Sequence, residues 1–144
     1  MKEIKTLDKT YYKTKRGISG LGLFAVKDIK KGDWIIEYVG ILRPNKEVEG
    51  NTTRYLFEVN NKHTIDGSPR WNTARYINHS CKRGNAESDI KKGRVYIKAI
   101  KNINKGDEIT YDYGREYFNE FIKPYGCMCA TCKIKITPEK RGDN

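Results

Sequence analysis

The apolar positions of this chain come in short runs separated by turn-forming residues. Leu23-Phe24-Ala25-Val26, Trp34-Ile35-Ile36, Tyr55-Leu56-Phe57-Glu58-Val59, His63-Thr64-Ile65 and Val95-Tyr96-Ile97 stand between clusters of Gly, Asn and Lys. Runs of this length, rich in β-branched and aromatic residues, predict strands. Asn60-Asn61-Lys62 lies between two of them and predicts a hairpin. One segment, Ala25-Val26-Lys27-Asp28-Ile29-Lys30-Lys31-Gly32-Asp33-Trp34-Ile35, recurs as Ala99-Ile100-Lys101-Asn102-Ile103-Asn104-Lys105-Gly106-Asp107-Glu108-Ile109. Each copy reads as a strand end, a tight turn at Lys-Gly-Asp and the start of another strand. Helical pattern is confined to Asn72 to Ile77 and to Glu116 to Ile122, the latter stopped by Pro124. Pro44 to Thr53 is polar and reads as a loop, and the charged Met1 to Lys15 as either a leading strand or a loose arm. The predicted fold is mainly β.

At 144 residues the chain fits a single domain. Lys and Arg number 29 against 18 Asp and Glu, a net charge of +11, which makes nucleic acid or an acidic protein surface a chemically suitable neighbour. Many of the lysines fall in turns such as Lys30-Lys31-Gly32 and Lys91-Lys92-Gly93, where solvated charge is the ordinary reading. No apolar run approaches the length of a membrane span, and the opening Met1-Lys2-Glu3-Ile4-Lys5 lacks the apolar core of a secretory signal. The expectation is a soluble intracellular protein without membrane contact, whose four cysteines are reduced thiols or metal ligands.

The densest chemistry lies in two segments. Arg75-Tyr76-Ile77-Asn78-His79-Ser80-Cys81 puts a carboxamide, an imidazole and a hydroxyl in succession, and Glu108-Ile109-Thr110-Tyr111-Asp112-Tyr113-Gly114 alternates so that two phenols share one face of a strand. These motifs resemble the pair that marks the SET-domain protein lysine methyltransferases. The resemblance extends to Arg16-Gly17-Ile18-Ser19-Gly20-Leu21-Gly22-Leu23-Phe24-Ala25, Glu37-Tyr38-Val39-Gly40 and Ile65-Asp66-Gly67, and covers roughly Thr14 to Lys133. The family pattern commonly continues Asn-His-Ser-Cys with x-Pro-Asn, whereas this chain has Lys82-Arg83-Gly84-Asn85.

The resemblance implies several small β-sheets around a C-terminal pseudoknot, with few short helices. It divides the chain into an N-terminal arm or leading strand (1–15), a SET catalytic domain (16–115), a post-SET segment with a cysteine cluster (116–133) and a polar tail (134–144). It implies S-adenosylmethionine as methyl donor, its methionine end against the loop Ser19-Gly20-Leu21-Gly22 and its adenine end against Asn78 and His79, with Met128 lying over it. Tyr113 takes the position of the catalytic tyrosine that places the methyl and the lysine amine. Tyr55 matches a channel tyrosine near the cofactor. Tyr111 matches a position where a phenol can hold a water in the space an added methyl would need, which implies mono- or dimethylation.

Cys127-Met128-Cys129-Ala130-Thr131-Cys132 is compact, and Cys127 and Cys129 are too close for an easy mutual disulfide. Three thiolates call for a fourth ligand in a tetrahedral zinc site, and the family places Cys81 beside the cluster. The expected ligand set is Cys81, Cys127, Cys129 and Cys132, with free structural thiols as the other reading. The function expected is methylation of a lysine on a histone or histone-like basic tail; the basic surface is a candidate for DNA contact, and a nuclear or chromatin-associated location applies if the substrate is a histone. Two alternatives stand beside it: a methyltransferase of a non-histone protein such as a ribosomal one, and a non-catalytic, zinc-stabilised module that binds nucleic acid.

Overall fold

The computed structural model describes residues 4–17, 20–49, 55–80 and 84–111. Strands dominate them. β1 (Tyr12–Gly17) follows a 3-10 turn at Lys9–Tyr11 and pairs antiparallel with β2 (Gly20–Ala25). β3 (Trp34–Tyr38), β4 (Ile41–Pro44), α1 (Asn45–Val48), β5 (Leu56–Glu58) and β6 (His63–Asp66) follow. After a second 3-10 turn at Thr73–Tyr76 come β7 (Asn78–His79), β8 (Ala86–Lys91), β9 (Arg94–Ala99) and β10 (Glu108–Tyr111).

Seven strands join in the order β1-β2-β10-β8-β9-β3, with β7 on β10, and three more in the order β4-β6-β5. The core between them is aliphatic: Leu23, Ile29, Ile35, Ile77, Val95, Ile97, Ile103 and Ile109 are fully buried. The β5–β6 hairpin turns where predicted, because Asn60 Oδ1 accepts from the backbone N–H of both Lys62 and His63 at 2.8 Å. α1 corrects the reading of Pro44 to Thr53 as loop throughout. Arg43 reaches Glu47 one turn on (Nη1 to Oε1, 2.8 Å), which favours helical spacing in that stretch.

The two copies of the recurrent segment pair with each other. Ile29 and Ile103 exchange backbone hydrogen bonds, each 2.8 Å. Every other contact has its mate: Lys31 N–H to Asn102 Oδ1 (2.9 Å) and Lys105 N–H to Asp28 Oδ1 (2.8 Å), Gly32 N–H to the Ala99 carbonyl and Gly106 N–H to the Ala25 carbonyl (2.8 Å each). Gly32 and Gly106 adopt φ of +94° and +95°, the left-handed region that glycine enters without strain. This clasp fixes β2 and β10 side by side, and β10 is the strand on which the candidate site is built.

Candidate functional site

β10 carries one half of the site and β7 the other. The strands run parallel, with Thr110 opposite Asn78 and Tyr111 opposite His79. On its other side β10 lies antiparallel to β2, with Glu108 opposite Phe24 and Ile109 opposite Leu23. Side chains alternate between faces, so these registers sort the residues into two sets. Leu23, Ile109, Tyr111 and His79 turn to the buried side, and all four are buried. Gly20, Gly22, Asn78, Glu108 and Thr110 share the opposite face. The two motifs that stand apart in sequence therefore form adjacent strands with one buried side and an opposite side that is polar and glycine-lined, apart from the buried Phe24 ring opposite Glu108.

On the polar side, Asn78 Nδ2 donates to the Leu21 carbonyl (2.9 Å) and to Glu108 Oε2 (2.8 Å). Both neighbours only accept, so both amide hydrogens are used and the orientation of the carboxamide is fixed. Gly22 sits against this pair: a Cβ there would collide with the Glu108 carboxylate and come within 3.0 Å of Asn78 Nδ2. At Gly20 (φ +93°) an added Cβ would meet nothing within 4 Å, leaving backbone open to a ligand. Gly84 and Asn85, the described end of the stretch that departs from the family pattern, brace β10. Gly84, at φ +76°, packs against Thr110, and Asn85 accepts from Thr110 N–H (Oδ1, 3.0 Å) while donating to the Glu108 carbonyl (Nδ2, 2.8 Å).

Tyr55 lies at the start of the β4-β6-β5 sheet. Its carbonyl accepts from the Tyr38 hydroxyl (2.8 Å) and from Gly67 N–H (2.9 Å), and the Arg75 guanidinium stacks over its ring, 4.3 Å from the centroid. Arg75 Nε is buried without a hydrogen-bond partner among the described residues, and the Tyr76 ring also faces this cation, 5.3 Å from its centroid. Behind Tyr55, Asn72 is fully buried: its Oδ1 accepts from Val39 N–H (3.2 Å) and its Nδ2 donates to the Gly67 carbonyl (3.0 Å). Next to Gly67, burial acts to raise the pKa of the Asp66 carboxyl. Hydrogen bonds from Ser68 and the Arg43 guanidinium outweigh it and hold the group below the ordinary carboxylate value.

Of the residues singled out in the sequence, the fold brings Gly20, Leu21, Gly22, Asn78, His79 and Tyr111 together around β10, with Tyr55 immediately before β5 of the neighbouring sheet. Ser19, Cys81, Tyr113, Cys127, Met128, Cys129 and Cys132 lie outside the described residues, as do the pseudoknot and the Glu116 to Ile122 segment. No group of side chains able to hold a metal occurs among the described residues. Glu108 and Asn85 were not assigned roles from the sequence. The polar alternation of Glu108 and Thr110 between Ile109 and Tyr111 is the signal that could have marked the first.

The family model for the SET domain matches residues 20–114, which takes in β2 through β10. The chain belongs to the SET domain family. Among curated proteins it is similar to histone-lysine N-methyltransferase 2D of Homo sapiens (35% identical, covering 85% of this chain and 2% of the relative). It is also similar to the H3 lysine-4 specific histone-lysine N-methyltransferase of Schizosaccharomyces pombe (37%, covering 81% and 14%) and to ASHH3 of Arabidopsis thaliana (34%, covering 84% and 37%). The chain thus spans well under half the length of these relatives. Among solved structures, a ctPRC2 in an autoinhibited conformation bound to S-adenosylmethionine is 31% identical with a TM-score of 0.57, over 67% of this chain and 14% of that one. The Chaetomium thermophilum polycomb repressive complex 2 gives 29% and 0.60, over 72% and 15%. The SET fold and the mainly β expectation agree. No helix among the described residues is long and apolar enough to cross a membrane.

Proposed function

We propose that this chain is an S-adenosylmethionine-dependent protein lysine N-methyltransferase that adds one or two methyl groups to a histone or histone-like basic protein. The observation that carries the reading is the parallel pairing of Asn78-His79 with Thr110-Tyr111, which makes one two-faced unit of the two motifs. Its polar face, with open backbone at Gly20 and a carboxamide held by Leu21 and Glu108, suits a ligand carrying amine donors. Bound there, S-adenosylmethionine would supply an electrophilic methyl on a sulfonium.

The substrate amine must present a lone pair, and at neutral pH a lysine of pKa ~10.4 is short of its neutral form by roughly 4–5 kcal/mol. Phenol rings can desolvate the side chain and so favour the neutral amine. In this reading Tyr55 walls the channel, with the Arg75 cation over its ring adding repulsion against a second positive charge. Tyr111 holds the water that limits methylation, and Tyr113 aligns amine and methyl. The lysine ammonium would give its proton to solvent before transfer, and its nitrogen would then bond to the methyl carbon as the carbon–sulfur bond breaks, releasing S-adenosylhomocysteine. Ser19, Leu21, His79 and Met128 complete the cofactor contacts. Zinc held by Cys81, Cys127, Cys129 and Cys132 would fasten the C-terminal segment, a reading supported by cysteine spacing and family resemblance. The +11 charge suits DNA near a histone tail better than the basic tail itself, and a chromatin setting follows from the substrate.

The experiment is transfer of labelled methyl from S-adenosylmethionine to core histones and to a lysate of basic proteins, with the Tyr113→Phe variant beside the wild type. Labelling of a defined lysine, lost in the variant, is the expected result. A folded, zinc-loaded protein that labels nothing overturns the proposal, and salt-dependent DNA binding in its place would support the nucleic-acid module.

A further inference from the structure

We propose that Glu108 is a positioning residue for the methyl donor: by taking one amide hydrogen of Asn78 while the Leu21 carbonyl takes the other, it turns the Asn78 carbonyl oxygen into the acceptor presented to S-adenosylmethionine. The inference rests on the methyltransferase reading and adds to it a residue that binds nothing itself. A carboxamide has two hydrogens and one carbonyl oxygen. Both hydrogens of Asn78 are committed, at 2.8 and 2.9 Å, to atoms that can only accept. A flipped amide would set its oxygen against a carboxylate and a carbonyl, so Glu108 excludes the flip by repulsion as well as by its hydrogen bond. No hydrogen bond among the described residues reaches Asn78 Oδ1. The acceptor is thus available to an N–H donor, and S-adenosylmethionine has two such groups, the exocyclic amine of adenine and the α-ammonium of its methionine end.

Gly22 supports the assignment independently. Its missing side chain leaves room for the Glu108–Asn78 contact, since a Cβ would overlap the carboxylate. The glycine loop, β7 and β10 therefore meet at this hydrogen bond, and the Glu108 backbone is itself held by Asn85 (2.8 Å).

The test is calorimetric binding of S-adenosylmethionine and S-adenosylhomocysteine to the wild type, Glu108→Ala, Glu108→Gln, Asn78→Ala and the double alanine variant. The side-chain amide resonances of Asn78 are recorded in the ligand-free proteins. Glu108→Ala should weaken binding about tenfold or more, and Glu108→Gln, which keeps a carbonyl acceptor in the same place, should restore it to within about threefold. The double variant should bind no more weakly than Asn78→Ala alone, because Glu108 acts through Asn78. The Asn78 amide signals should shift in Glu108→Ala and stay near their wild-type positions in Glu108→Gln. Wild-type binding with an unaffected Glu108→Ala overturns the role of Glu108 alone, as do additive losses in the double variant. A lower melting temperature in both Glu108 variants with equal loss of binding would mark a merely structural residue. If the wild type binds neither ligand, the methyltransferase reading fails; unmoved Asn78 resonances in Glu108→Ala would separately overturn the positioning contact.

Discussion

Replacing Asn72 by alanine tests the support behind Tyr55. The side chain is fully buried and satisfies two backbone groups of separate segments, Val39 N–H after β3 and the Gly67 carbonyl after β6. The alanine variant leaves both without a partner, and each such group costs about 1–3 kcal/mol. Water entering the vacated space can satisfy part of this, so the expected loss is about 2–4 kcal/mol. With a urea dependence of about 2 kcal/mol per molar for a domain of this size, the unfolding midpoint should fall by about 1–2 M at unchanged slope. The Asn72→Asp variant separates the two bonds. Its carboxylate can still accept from Val39 but faces the Gly67 carbonyl, so the folded state should raise the pKa of the new carboxyl. Stability of that variant is then best below the unfolded value of ~3.9 and declines as pH rises toward the folded pKa. The assay is urea unfolding of both variants at pH 4 and pH 8. A loss under about 0.5 kcal/mol for Asn72→Ala, or an Asn72→Asp variant no weaker at pH 8 than at pH 4 relative to wild type, refutes the reasoning.

Substituting Tyr111 by phenylalanine should shift mass-resolved products toward trimethyl-lysine, whereas an unchanged product distribution removes the water-holding role. The lowered pKa of Asp66 contributes stability above the unfolded value of ~3.9 that disappears as pH falls through the folded value. Asp66→Asn should accordingly flatten the acid limb of a stability–pH profile, and an identical limb would count against the Ser68 and Arg43 contacts. Elemental analysis should find one zinc per chain, and chelation should lower both activity and melting temperature; a metal-free protein of full activity rejects the cysteine ligand set.

Local patterns carried most of the strand content. The β5–β6 hairpin was legible because Asn60 closes its own turn, and the strand–turn–strand reading of the recurrent segment held because its glycines sit where a positive φ is required. β8 was not legible: Ala-Glu-Ser-Asp-Ile-Lys has little alternation, and the strand is specified by pairing along its length with β9, through a turn in which Lys92 and Gly93 both take positive φ. α1 is short, and its cue is a side-chain contact from Arg43 rather than an apolar stripe. The site motifs were readable as segments, but the bond from Asn78 to Glu108 joins residues far apart in the chain. Only the sheet register brings them together.

The clasp between the recurrent segments also bears on how the molecule folds. Neither copy satisfies its own amides at Ile29, Gly32, Ile103 or Gly106; each depends on the other. Closing that loop of roughly seventy residues carries an entropic penalty before the contacts repay it, which favours slow, cooperative folding. Amides of the two turns should exchange with solvent together, at the free energy of global unfolding. A cut between the copies would yield fragments that each hold half a clasp, and neither half could form β10's neighbourhood until the two reassociate.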